Sequence, residues 1–387
     1  MMRLLGSLLI LCSLASTAGQ TPAVQSLVKS APGLLQDGLA SYQKGDRATA
    51  LSLLEEARQI ADTGPAESRT RYEVLKALTA VNASIGDYEK AEQYLEIAMN
   101  WRERYEKAAL VDLSDDRIEL AGILEWRKEY ERAAALLKSI EQQYARQPQG
   151  MADPRLADVL SRQAQVYSAM GEKPAAVVYS ERSIRMRAAQ LGEWHVWLTT
   201  ELERLGVYAL QARDYAKAEE AYQHAVLIRE RAQGRDHIDL VSSLDGLAYA
   251  LYGQKKHAEA EQVYERLLKS WIGTAGQEHP MVILTLDKIA SLYRDWGRED
   301  DAQAAEAKAV ALRALFHANG LVRQAGELIR QKQMKEALAL YRKALALTDA
   351  NRIEHAELRK KLTASLAEYA PAKPARKRTA VPAKRTR

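Results

Sequence analysis

Three histidines recur at one interval. Gly192-Glu193-Trp194-His195, Gly234-Arg235-Asp236-His237 and Gly276-Gln277-Glu278-His279 place His195, His237 and His279 at steps of 42 residues. Imidazole is a common metal ligand, so an evenly spaced trio raises zinc chemistry first. The spacing argues against it. If each histidine holds the same place in successive helical units, its equivalents are at least one interhelical spacing apart, about 8–10 Å. A zinc–imidazole bond is about 2 Å. No carboxylate or second histidine stands three or four residues after any of the three to make a local site. The expected role is to start helices and pack between units, with no metal bound.

Other reactive constellations are not found. The chain has no glycine-rich phosphate loop, no Gly-x-Ser-x-Gly elbow and no His-Glu-x-x-His. Its one cysteine, Cys12, lies near the start, and His224, His257, His317 and His355 share no phase. Carboxylates such as Glu219-Glu220 after Lys217 alternate with bases as on a solvated helix face. No catalytic residue and no cofactor site are expected, and the chain does not read as an enzyme.

The elements behind the histidines form a repeat. Gly86-Asp87-Tyr88-Glu89-Lys90-Ala91 is a turn between two amphipathic segments, and equivalent turns fall at Gly45, Gly86, Lys128, Gly171, Arg213, Lys255, Gly297 and Lys332. The steps are 41 to 43 residues until the last, which is 35. After the turns, Ala91/Leu95/Ala98, Ala133/Leu137/Ile140, Ala218/Tyr222/Ala225, Ala260/Tyr264/Leu267 and Ala337/Tyr341/Ala344 each line one helix face. With 387 residues, 10 prolines and a single phenylalanine, composition favours helix throughout.

This pattern resembles the tetratricopeptide repeat family, and the 42-residue period with its Gly-x-x-His start resembles the longer repeats of kinesin light chains. The resemblance covers roughly Leu34 to Leu345. It implies an all-α fold, a right-handed superhelical solenoid of antiparallel helix pairs, with about eight pairs over residues 34–348. Arg117, Pro174 and Asp37 depart from the family pattern and mark weaker units. In the family, first helices line a concave groove where a partner peptide or helix lies. Projected on this chain, the groove would hold Arg162, Arg204, Lys288 and Arg294 with Tyr249 and Tyr252 between them. Such aromatics beside guanidinium groups suit an acidic or amphipathic protein segment. The lysine–asparagine clamp for carboxylate termini is not found. The kinesin asparagine ladder is replaced by Ala77, Glu119, Arg162, Arg204, Gly246, Lys288 and Arg323.

The ends differ from the body. Arg3, the apolar run Leu4 to Leu14 and Ser16-Thr17-Ala18 read as an export signal over residues 1–18, followed by a lead-in at 19–33. A capping helix is expected over 349–370 and an extended, disordered tail over 371–387. The tail carries Lys373, Arg376, Lys377, Arg378, Lys384, Arg385 and Arg387 with no acid. Without those seven and Arg3, 48 bases face 51 acids, so attraction to anions belongs to the tail. The expected function is a non-enzymatic protein-interaction scaffold, periplasmic or secreted. The alternative is an envelope protein whose tail binds an anionic polymer or lipid. Specific nucleic-acid binding is not expected.

Overall fold

The computed structural model describes residues 30–107, 112–147, 150–235, 237–350 and 352–369. The expected leader and basic tail lie outside them, as does most of the lead-in. Among the described residues there are sixteen α-helices and no strand. Two compact units divide the chain after Asp214. The first contains α1 (Ala31–Gln43), α2 (Arg47–Thr63), α3 (Arg69–Ile85), α4 (Tyr88–Trp101), α5 (Ser114–Trp126), α6 (Tyr130–Ala145), α7 (Pro154–Met170), α8 (Lys173–Leu191) and α9 (Leu198–Gln211). The second contains α10 (Tyr215–Gln233), α11 (Leu240–Gly253), α12 (His257–Ala275), α13 (Pro280–Asp295), α14 (Glu299–Arg330), α15 (Met334–Leu347) and α16 (Ala356–Glu368).

All eight turns expected from the spacing are left-handed. Gly45, Gly86, Gly171 and Gly297 have φ of 85°, 86°, 89° and 79°, and Lys128, Arg213, Lys255 and Lys332 have φ of 60° to 62°. A left-handed residue stops a helix and lets the following amides cap its last carbonyls. At Gly86 that means Gly86 N–H to Ala83 at 3.2 Å and Asp87 N–H to Asn82 at 3.0 Å. Five residues after every turn stands an alanine: Ala50, Ala91, Ala133, Ala176, Ala218, Ala260, Ala302 and Ala337, each fully buried. A methyl there lets the second helix approach its neighbours closely, and larger side chains such as Leu54, Leu95 and Leu137 fill the space a turn further on.

Cβ branches are costly at positive φ, by about 1–2 kcal/mol, although glycine returns part of that through chain entropy. Lys128→Gly is therefore expected to stabilise the first unit by about 0.5–1 kcal/mol, and Gly86→Ala to destabilise it by about as much. Denaturant midpoints at unchanged slope check both.

The eighth pair is not separate. Its first helix is the C-terminal half of α14, a 32-residue helix that runs unbroken from the seventh turn to the eighth. Elsewhere in the 42-residue stretch a linker intervenes, 192–197 or 234–239. The last step is short by about that length, and Gly320 alone does not end a helix. The three departures are absorbed locally. Arg117 turns its half-buried guanidinium to Gln143 and Ser139 on α6, at 2.9 and 2.8 Å. Pro174 falls in the first turn of α8, where no amide is needed. Asp37 is exposed.

In the first unit one core gathers Leu34, Leu54 and Leu78, and another gathers Leu95, Leu137 and Leu160. In the second unit, Val282, Leu286 and Leu312 pack together, and Leu315, Tyr341 and Leu362 join α14, α15 and α16. His355, buried just before α16, accepts the Asp349 amide on Nδ1 at 2.8 Å. Its Nε2 lies 2.8 Å from the Ala311 carbonyl, so the ring tethers the cap to α14.

Candidate partner-binding site

The three spaced histidines share one geometry. Each follows a left-handed glycine, Gly192, Gly234 or Gly276, with φ of 91°, 90° and 85°. Each Nδ1 accepts the amide two residues on: Trp197 at 3.3 Å, Asp239 at 3.2 Å and Met281 at 3.3 Å. This satisfies an orphan donor at a helix start, as an Asn or Asp cap does elsewhere. Three residues after each histidine comes a fully buried aliphatic, Leu198, Leu240 or Val282. Among the described residues no group of three or more histidine, cysteine or acidic side chains is placed to hold a metal.

The cationic groove candidates are all paired. In the first unit, Arg162 on α7 meets Glu125 of α5 at 3.3 Å and Gln165 at 3.1 Å. Arg204 on α9 bonds Ser161 at 3.3 Å and lies 3.5 Å from the buried Glu201. In the second, Lys288 on α13 meets Asp245 of α11 at 2.5 Å, and Arg294 pairs with Glu306 of α14. Tyr252 donates to Asp295, a bond that pushes its hydroxyl up to about 12. Tyr249, whose ring centroid is 6.3 Å from that of Tyr252, is exposed. The structure thus brings Tyr249 and Tyr252 together. The cations are occupied by carboxylates, so they could engage an acidic partner only by exchange.

A separate set of ion pairs joins neighbouring helix pairs. The acid six residues after a turn takes a base from the next turn: Glu92 from Arg127 and Arg132, Glu219 from Lys256 at 2.7 Å, and Glu261 from Arg298 at 2.9 Å. The most buried member is Asp116, between Lys76 at 2.7 Å and Arg102 at 2.8 Å, with Glu119 on the same lysine. Burial alone would raise the Asp116 carboxyl, but Lys76 and Arg102 more than offset this and hold it below its ordinary range. Aromatic stacking adds to the register in the first unit, where Tyr88 opening α4 lies parallel to Trp126 ending α5, centroids 5.8 Å apart.

An apolar surface that the residue pattern did not single out lies in the linker before α9. Leu191 is 38 % exposed, Trp194 46 %, Val196 40 % and Trp197 71 %. The Trp197 ring stands edge-on to His195, centroids 5.5 Å apart. The same positions in the next linker are Asp236, Ile238 and Asp239, and in the third Glu278, Pro280 and Met281. Three linkers with one capping geometry therefore carry different chemistry at their tips. Neither tryptophan is required by the geometry. Aligning the linkers with one another, rather than asking only what their histidines do, is the signal that finds this surface.

Paired helices with a left-handed break and a buried alanine after each break define a helical-repeat protein. Residues 198–271 and 246–314 match the family described as tetratricopeptide repeat, and the chain is similar to that family there. No curated protein matches the sequence. Among solved structures, nearly identical repeats assigned to a kinesin light chain of Podosopora anserina are 21 % identical, with 53 % of this chain and 96 % of that one covered and a TM-score of 0.45. A tetratricopeptide repeat protein of Parabacteroides merdae is 18 % identical, covering 77 % and 98 %, with a TM-score of 0.43. A signal transduction ATPase with numerous domains and a tetratricopeptide repeat sensor, from Pyrococcus horikoshii, is 16 % identical over 72 % of this chain and 42 % of that one, with a TM-score of 0.52. That last likeness is one of fold.

Proposed function

We propose that the chain is a non-enzymatic protein-interaction scaffold whose partner docks an apolar segment on the Leu191–Trp197 linker. The observation that carries this is the exposure of Trp197, at 71 %, where equivalent linkers have Asp239 and Met281. Large aromatics exposed on a histidine-capped linker are the side chains that dominate binding energy when buried by a partner. Tyr249 offers a further anchor on the second unit. The partner is a protein, engaged through a peptide or a helix, and the place of action is the cell envelope or the secreted space. Support for that place is the sequence of residues 1–18, which lie outside the described residues.

Exchanging Trp194, Val196 and Trp197 for Asp, Ile and Asp rewrites the linker as its neighbour while keeping His195 and Leu198. Wild-type and exchanged chains serve as baits in an envelope extract at high salt. The expected result is a discrete protein held by the wild type and reduced at least about tenfold by the exchange, the loss of roughly 1.4 kcal/mol or more. Undiminished capture by the exchanged chain contradicts the reading. The alternative, an anion-binding envelope protein held by its basic tail, rests on residues 371–387 and requires capture that vanishes with salt.

A further inference from the structure

A groove in the second unit goes unused when a partner docks on the linker before α9. It has a volume of about 270 Å³ and lies where the linker before α13 meets α14, α15 and α16. The buried side chains of Tyr341, Leu358 and Leu362 form an apolar floor. Glu278, Glu354 and Glu357 line the groove with a single base, Lys361.

Two of these acids differ from the others in their unit. Half-buried acids there take a base from a neighbouring helix: Asp245 from Lys288, Glu219 from Lys256, Glu230 from Arg266 and Glu261 from Arg298. Glu278 and Glu354 are also half-buried. Among the described residues Glu278 meets only the neutral Asn319 amide, at 2.5 Å, and Glu354 has no cationic partner. Lys361 serves the exposed Glu357, at 3.5 Å, and is itself exposed. Two carboxylates have thus lost part of their hydration without gaining a base. A cation set between them interacts more strongly than it would at an open surface.

Shape narrows the ligand further. The groove is smaller than the roughly 300–1,000 Å³ of a site for a drug-sized molecule. A long basic side chain suits it, because lysine and arginine lay an apolar stem along an apolar surface and keep the charged head among polar groups. Arginine fits better, since its planar fork can serve two carboxylates at once. The exposed Glu357 and Lys361 mark an open outer edge, so the main chain bearing that arginine can stay outside. We propose that the groove is a socket for one arginine of a basic segment in a protein partner. Its stem lies over Tyr341, Leu358 and Leu362, and its guanidinium lies between Glu278 and Glu354. This contact selects for charge, whereas the one on the first unit selects for apolar surface.

The full-length chain with isotope-labelled leucine methyl groups tests this by nuclear magnetic resonance. The probes are the peptide acetyl-Ala-Ala-Arg-Ala-Ala-amide and the same peptide with citrulline, which is neutral and nearly the same shape as arginine. The arginine peptide should shift the Leu315, Leu358 and Leu362 methyls saturably and leave Leu244 of α11 still. The citrulline peptide should bind at least about tenfold more weakly, having lost charge-assisted hydrogen bonds. Glu278→Gln with Glu354→Gln should weaken the arginine peptide by a similar factor, whereas Lys361→Gln should tighten it about twofold. An unmoved Leu244 signal shows that the double variant is folded, and the citrulline comparison needs no variant. Equal binding of both peptides, or no saturable shift at the three groove leucines, overturns the proposal. So does a change at those methyls, without peptide, when the seven bases among residues 371–387 are replaced by glutamine. That result would give the groove to the chain's own bases.

Discussion

Asp116→Ala is expected to destabilise the first unit by about 3 kcal/mol, a larger loss than any exposed ion pair in the chain would give. A carboxylate only 2 % exposed has lost its hydration, and its stability depends on Lys76 and Arg102. Deleting one member of a buried pair leaves the other as an uncompensated charge, typically at a cost of about 3–5 kcal/mol. Glu119 remains on Lys76 and Glu106 on Arg102, which sets the expectation at the lower end. The double variant Lys76→Met with Asp116→Leu should recover much of the loss, since an apolar pair of similar size has no desolvation to repay. The pH dependence has a definite sign. The Asp116 carboxyl is held below its ordinary range in the folded chain, so the unfolded chain binds the proton more readily. The contribution is fully present above about pH 4, the unfolded carboxyl value, and is lost as pH falls through the folded one. Denaturant titrations of wild type and Asp116→Ala at pH 7 and pH 3 should converge on acidification.

Gly246→Val is expected to destabilise the second unit by about 3 kcal/mol, through volume rather than charge. A Cβ on Gly246 would stand 2.3 Å from the ring of Tyr222, which is only 4 % exposed. The ring belongs to the second-helix face Ala218/Tyr222/Ala225, between two fully buried alanines, and cannot swing aside without opening that contact. Gly326→Ala is the control: it sits inside α14 with nothing within 4 Å of an added Cβ. It should stabilise by about 0.5–1 kcal/mol, the helix preference for alanine over glycine. Equal effects of the two substitutions would show that backbone propensity, not ring contact, governs the first.

These two sites show how far the residues alone lead. The turns were legible because each breaks a helix at a constant phase, even where Lys128, Arg213, Lys255 and Lys332 take the conformation glycine prefers. The buried alanine five residues later was legible for the same reason. The junction inside α14 was not, because a missing linker leaves no residue to notice, only a step of 35 where 42 was due. The ion network was hidden by distance in sequence: Lys76 meets acids 40 and 43 residues on. On one helix those acids look like part of a solvated face. The same blindness affects the groove candidates. The repeat phase located Arg162, Arg204, Lys288 and Arg294 on first helices, but not the carboxylate each one faces. Trp194 and Trp197 were in plain view, and the regular histidine between them directed attention to what the linkers share.

The most direct test of the scaffold reading places a photo-reactive benzoylphenylalanine at Trp197 and, in a second full-length chain, at the equivalent Asp239. The two positions follow identical histidine caps and differ in the surface around them. Irradiation in the producing cells should give a discrete protein adduct from position 197 and little or none from position 239. Equal adducts from both, or none from either, would contradict a partner site on the Leu191–Trp197 linker.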